Sequence, residues 1–411
     1  MNFNVQLPAG WSSKRLKYVA SHNDDVLSED TDELKEIDYV EISGVSLSGG
    51  IEEINRMTFF EAPSRARRKV RKEDILISTV RTYLKAIATV GDASDDLVAS
   101  TGFCVVRSRG EANAGFLGWV AKSEPFVSEV VARSVGVSYP AINASELVNI
   151  NVPLPPLETQ RRIALFLDEK TARIDALIAK KRALLDRLAD KRQALITRAV
   201  TKGLSPDAPM KPSGIDWLGN IPAHWETAPL RWYLRTASGD GSRNEDVSVE
   251  RTEADAIPVI GGNGLMGFTT SSNSSNSALV IGRVGALCGN VHPVAEPSWV
   301  TDNALKVYGI RGFVSFYLLQ ALKVRDLNVL ASRNAQPLMT GEIVKAQIMP
   351  RPPIEEQAAI GAYVCAALDL LDRESNQITQ SVELLREYRA ATITAAVTAK
   401  IAPENVSEQG A

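Results

Sequence analysis

A proline-rich phrase occurs twice in these 411 residues, each time opening a long charged stretch, and this commits the chain to a two-copy architecture before any element is assigned. Val152 to Ile163 reads VPLPPLETQRRI and Met349 to Ile360 reads MPRPPIEEQAAI. Pro153, Pro155, Pro156, Glu158, Gln160 and Ile163 thus recur as Pro350, Pro352, Pro353, Glu355, Gln357 and Ile360, a displacement of 197. The same displacement carries Phe116 onto Phe313, Trp119 onto Phe316 and Val120 onto Tyr317. A second echo, Leu7 to Trp11 against Ile221 to Trp225, is displaced by 214, so the second copy is 17 positions shorter. The loss is expected between about Tyr18 and Phe116, where the copies share little beyond the strand-like runs Asp74 to Ser78 and Ala278 to Gly282.

From Glu158 to Lys202 no proline or glycine interrupts the chain. Apolar residues recur every three to four positions, among them Ile163, Phe166, Leu167, Ile174, Leu177, Ile178, Leu184, Leu185 and Leu188, the period of one helical face. Pro155 and Pro156 precede the first turn, where a missing amide is harmless, and Gly203 with Pro206 closes the far end. The pattern predicts helices over about 156–202 and 353–400, the first a rod of roughly 67 Å. The first carries twelve bases against six acids, the second four against seven. Opposite charge favours pairing them with each other as an intramolecular antiparallel coiled coil; a merely solvated basic face is the alternative.

The length allows two or three domains, and 45% hydrophobic with 23% charged residues is ordinary globular composition. No window approaches the roughly 18 apolar residues of a membrane span, and the first residues lack a basic start with an apolar core. A cytoplasmic location and no membrane partner are therefore expected. The cysteines (Cys104, Cys288, Cys365) and histidines (His22, His224, His292) lack the paired spacing of a metal site, so no metal is expected. Adenine methylation needs an Asn/Asp-Pro-Pro-aromatic loop, but the double prolines here read Leu154-Pro-Pro-Leu157 and Arg351-Pro-Pro-Ile354. No Gly-x-x-x-x-Gly-Lys-Ser/Thr is present, nor a carboxylate cluster like a nuclease site. Gly262, Gly264 and Gly267 match a dinucleotide fingerprint, yet Phe-Thr-Thr-Ser-Ser follows where that fold needs a helix, so the glycines read as a turn. No catalytic residue is assigned; the chain reads as a binder, not an enzyme.

Four features occur in order: the Pro-x-x-Trp entry, the two proline phrases, the helix ends AVTKGL and AVTAKI, and the connector GIDWLGNIPAHW. Together they resemble the specificity subunit of type I restriction-modification enzymes, over both helices and the module borders. The resemblance implies an α+β fold, two mixed α/β target-recognition domains joined by two long antiparallel helices with a pseudo-twofold internal repeat. Its domains would be recognition domain 1 over 1–152, the first conserved helix and linker over 153–205, recognition domain 2 over 206–348, the second helix over 349–401, and a flexible tail over 402–411. Each domain would read one half of a bipartite double-stranded DNA target. The helices would set the spacing and dock two methyltransferase subunits, with two restriction subunits completing the complex. S-adenosylmethionine, ATP and Mg would belong to those partners, with no cofactor on this chain. An assembly adaptor that binds protein without reading DNA is the alternative.

A net charge of −3 and a pI of about 5.9 run against the basic surface expected of a DNA reader, so phosphate contacts must be local or supplied by partners. Arg65, Arg67, Arg68, Lys69, Arg71 and Lys72 place six bases in eight residues, ahead of a segment holding Arg81, Tyr83 and Lys85. The run suits phosphate positioning and Arg81 or Tyr83 base-edge contact; a solvated loop is the plain alternative. The second module lacks such a run, and its candidates are Arg243, Asn244, Arg283, Asn303, Arg333, Asn334 and Gln336, side chains that pair with guanine or adenine. The turn Gly136 to Pro140, with Ser138 and Tyr139, corresponds to the second copy's 332–336 segment.

Overall fold

A computed structural model describes residues 7–241, 247–274, 277–294, 297–332 and 337–401; the tail assigned to 402–411 lies outside the described residues. The chain divides into two compact units, one comprising the residues up to Arg182 with those from Thr379 onward, the other Ala183–Ile378. Each unit contains one module and one end of each long helix, Leu157–Lys202 and Ile354–Val397. The second helix stops short of Lys400. Ala399 turns left-handed at φ 58°, and the Lys400 N–H donates back to the Ala395 carbonyl at 2.8 Å, closing the last turn. The first helix closes on Gly203 at φ 76°. Among the described residues no helix is long and apolar enough to cross a membrane.

In the first unit the central sheet is antiparallel, in the order Ala20–His22, Phe103–Ser108, Ile75–Ser78, Ile87–Thr89. A second four-stranded sheet orders Asn55–Thr58, Glu36–Val40, Leu97–Ser100 and Ala66–Lys69, with Glu36–Val40 and Leu97–Ser100 parallel. The entry strand Ser12–Arg15 pairs with Asn151–Leu154, placing Ser13 opposite Pro153, so the two echoed phrases meet at the module border. The helix Ala114–Lys122 buries Phe116, Leu117 and Val120 against Ile163 and Leu167 of the first long helix and Ile393 and Val397 of the second. A smaller apolar contact of Ile174 and Ile178 with Val382 and Leu385 continues that antiparallel seam, beside which Arg389 pairs with Asp175 at 2.9 Å.

The second unit repeats this frame with a central sheet ordered Arg235–Ser238, Ala304–Tyr308, Ser277–Gly282, Val291–Pro293. Its entry strand Glu226–Pro229 pairs with Ile348–Arg351, and Thr227 faces Pro350 as Ser13 faces Pro153. The companion sheet has three strands, Gly264–Thr269, Ile257–Gly261 and Trp299–Val300, so among the described residues it has no partner for the basic strand Ala66–Lys69. The glycine motif is the hairpin between two of these strands, with Gly264 at φ 93°, as its reading as a turn predicts. Trp225, fully buried, donates from Nε1 to Glu356 at 3.0 Å, while Ile196 and Val200 meet Ile360 and Val364 in the core. Arg192 pairs with Asp372 across the helices. Of the two cross-helix ion pairs described, this one follows the net charges of the helices, and Arg389 with Asp175 reverses them. The helices are therefore held by their apolar seam more than by bulk charge.

Hydrogen bonds set the correspondence between copies. Thr79 takes the Gly102 carbonyl and gives its own to Ile142; Arg283 takes the Asn303 carbonyl and gives its own to Met339. The displacement is thus 204 at the central strand, 201 at Asn303 and 197 at Met339. Buried Gln160 accepts from the Asn113 N–H and buried Gln357 from the Val314 N–H, each at 2.8 Å, so the cap of the module helix is also displaced by 201. Thirteen of the 17 missing positions fall before Phe116 as expected, and four fall after that helix. Phe116 consequently matches Tyr317, not Phe313. A slip of four residues is about one helical turn and keeps the same face apolar, so the sequence pattern cannot register it.

Candidate nucleic-acid interface

Beyond the buried strand Ile75–Ser78 the chain leaves the sheet in a tight, pinned excursion. Thr79 is held by Gly102 and Ile142, Val80 bridges Ala141, and Val135 exchanges two backbone bonds with Ala141 at 2.8 and 3.0 Å. The hydroxyls of Thr82 and Ser134 share a 2.8 Å hydrogen bond, tying the 79–85 and 134–141 segments together. On this base Arg81 and Lys85 both adopt left-handed backbone, at φ 49° and 54°, flanking the 3-10 turn Thr82–Leu84. Such conformations cost a non-glycine residue about 1 kcal/mol or more and persist where surrounding structure enforces them. The Arg81 guanidinium lies over the Tyr139 ring at 4.8 Å, so two candidates far apart in sequence are one feature in space. Tyr83 and Ser138 are exposed beside them, and Lys85 pairs with Glu124 at 3.3 Å. Sequence reasoning missed Val135 and Val137. Val137 is 100% exposed at the tip of the loop, and the signal available was the alternation of apolar residues around Gly136 in a stretch that no helix or strand absorbs.

The six-base run is no uniform patch. Residues 66–69 are themselves an outer strand of the second sheet, with Ala66 pointing into the core, so the plain alternative of a solvated loop does not hold for them. Arg65 pairs with Glu41, Arg71 with Asp25 at 2.5 Å and Lys72 with Asp92 at 2.7 Å. Arg67 stacks over the Phe59 ring at 4.6 Å, and Arg68 has a buried Nε with no hydrogen-bond partner in the structure. Lys69 is exposed. Acids within the module thus occupy half the run, which is how a chain of net negative charge accommodates it.

The second module builds the same base from different residues. Arg283 and Asn303 occupy the places of Thr79 and Gly102, and Leu338 bridges both Val284 and Ser332 as Ala141 bridges Val80 and Val135. The two left-handed positions recur 204 residues on as Gly285 and Gly289, at φ 82° and 86°. Where the second copy has the residue that adopts this backbone freely, the first holds two bases in it. The Arg283 guanidinium donates to Ser238 Oγ at 3.1 Å, and Asn303 is exposed beside it. Arg243, Asn244, Arg333, Asn334 and Gln336 lie outside the described residues. Among the described residues no group of three or more His, Cys, Asp or Glu side chains could hold a metal ion.

Comparison with known proteins places this geometry. The profile of a family described as the type I restriction modification DNA specificity domain matches residues 8–187. The chain is 35% identical over 134 residues to the type I restriction enzyme EcoprrI specificity subunit of Escherichia coli, about a third of each protein. It is 24% identical over 278 residues to the putative type I restriction enzyme MjaX specificity subunit of Methanocaldococcus jannaschii, covering 63% of this chain and 62% of that one. The aligned parts thus span less than two thirds of either curated relative. In fold it resembles a chain from a study of complex assembly and conformational transition in the type I R-M system, at a TM-score of 0.79 and 22% identity over 96% of this chain and 99% of that one. The HsdS subunit from Thermoanaerobacter tengcongensis has a TM-score of 0.56, again at 22% identity, over 97% of this chain and 100% of that one.

Proposed function

We propose that this chain, which belongs to the family of type I restriction-modification specificity subunits, reads a bipartite double-stranded DNA target, one half with each module. It does no chemistry of its own. The long helices set the distance between half-sites and dock two methyltransferase subunits, and two restriction subunits complete the assembly; S-adenosylmethionine, ATP and Mg are used on those partners. The observation that carries this reading is that both modules build the base on the same backbone bonds of Thr79 and Arg283 and the same bridges of Ala141 and Leu338, and mount different side chains on it. A shared base with divergent tips is what reading two different sequences requires. Arg81 on Tyr139 in the first module and Arg283 with Asn303 in the second offer base-edge hydrogen bonding, to guanine from arginine and adenine from asparagine. The pairs Arg65–Glu41, Arg71–Asp25 and Lys72–Asp92 lie at the surface, where water screens them and leaves them only weakly held. Their bases can therefore exchange a carboxylate for a phosphate at small cost.

The test is to assemble the chain with methyltransferase subunits and map methylated adenines across a genome. A bipartite motif is expected. Replacing residues 206–348 by the corresponding module of another specificity subunit should change one half-site and leave the other. Methylation with no bipartite motif would refute the reading and favour an adaptor, and a swap that altered neither half or both would refute the assignment of one half-site per module.

A further inference from the structure

The repeated glutamine of the proline phrase has a role that neither module tip explains. Gln160 and Gln357 are fully buried, and each makes the same three bonds. The Gln160 amide accepts from the Asn113 N–H at 2.8 Å and donates to the carbonyls of Glu111 at 2.9 Å and Pro155 at 2.8 Å. The Gln357 amide accepts from the Val314 N–H at 2.8 Å and donates to the carbonyls of Gly312 at 3.1 Å and Pro352 at 2.9 Å. Each amide thus joins three pieces of chain: the loop capping the module helix, the strand end that leaves the module, and the first turn of the long helix.

Every partner of the two glutamines is a backbone group. At the clamped positions the first module has Glu111 and Asn113 and the second Gly312 and Val314, so the side chains differ while the bonds do not. Such a clamp ignores module sequence. An amide is also the side-chain group that supplies one acceptor and two donors in a single plane, so neither Glu nor an apolar residue can satisfy all three backbone groups, and buried groups left unmade are expensive.

We propose that Gln160 and Gln357 are positioning residues, sequence-independent sockets that hold each recognition module at one fixed angle on its helix and thereby fix the spacer between half-sites, whatever sequence the module reads. This rests on the bipartite reading above. The test uses the complex with methyltransferase subunits on a DNA library that contains both half-sites with the spacer lengthened or shortened by one or two base pairs. Wild type should methylate one spacer. Gln357→Met, close in volume but without the amide, should recognise both half-sites unchanged while its preference for the native spacer falls by about tenfold, the order expected for a lost buried hydrogen bond.

Val314→Pro supplies an independent variant, because Val314 already has φ −74°, which suits proline, and the change removes the N–H that Gln357 holds while keeping an apolar ring where the valine packs against the core. It should broaden the spacer in the same way, and it decides the question should Gln357→Met fail to fold. A folded variant with wild-type spacer preference overturns the proposal, since a residue that merely stabilised the fold would lower melting temperature without touching the spacer. Absence of any bipartite motif in the wild type would instead overturn the underlying reading.

Discussion

Arg81 and Gly285 occupy the same left-handed position in the two copies, as do Lys85 and Gly289, and this separates what those bases do for the fold from what they do at the tip. Arg81→Gly should leave melting temperature unchanged or raise stability by up to about 1 kcal/mol, because glycine adopts that backbone freely. It should also abolish the stack on Tyr139 and weaken methylation that depends on the first half-site. A fall in stability without loss of half-site methylation would contradict the assignment. Elsewhere in the first module, burial together with the nearby Arg389 guanidinium pushes the Lys122 ammonium down to about 8 from 10.5. Between those values the unfolded chain binds more protons than the folded one, so stability rises with pH across the window, and the penalty for the buried charge is complete below it. Lys122→Met should flatten that slope in melting temperature against pH, and an unchanged slope would exclude Lys122 as its source. At this scale the sequence identified Arg81, Tyr83, Lys85 and Tyr139 by residue type alone. It could not show that Arg81 touches Tyr139 or that two of the four are strained, because both facts come from backbone bonds joining segments more than fifty residues apart.

The long helices were the most legible elements, since a proline-free period of three to four residues is a local property of the chain. Their ends follow local rules too, with one difference. The first closes on Gly203, whereas the second places Ala399 in the left-handed cap position. Ala399→Gly should therefore stabilise the first unit by about 1 kcal/mol, seen as a higher melting temperature; no change or a decrease would mean that this cap does not limit stability. One strand of each four-stranded central sheet was also visible, as the DILIS and ALVIG runs. The second sheet of the first module was not, because its parallel pair, Glu36–Val40 with Leu97–Ser100, joins strands that nothing local connects. The basic strand Ala66–Lys69 shows why composition misleads at this scale. Ala66 is buried and Arg67 stacks on Phe59, while the acids brought in from elsewhere in the fold pair with the flanking Arg65 and Arg71.

For the molecule as a whole, removing four residues from the middle of each long helix should shorten the spacer by about 6 Å, close to two base-pair steps of about 3.4 Å, with both half-sites unchanged. Mapping methylated sites checks this, and an unaltered spacer would remove the helices as the measure of distance. The sequence by itself determined that there are two copies and that a long helix opened by prolines follows each. Those features rest on repetition, on period and on proline's missing amide, all of which act within a few residues. Only the tertiary structure decided which residues of the two copies truly correspond, because a shift of one helical turn preserves an apolar face and is settled by hydrogen bonds between distant segments, the glutamine clamps among them. It also decided which bases stand free at a tip and which are neutralised, since that depends on acids brought in from elsewhere in the fold.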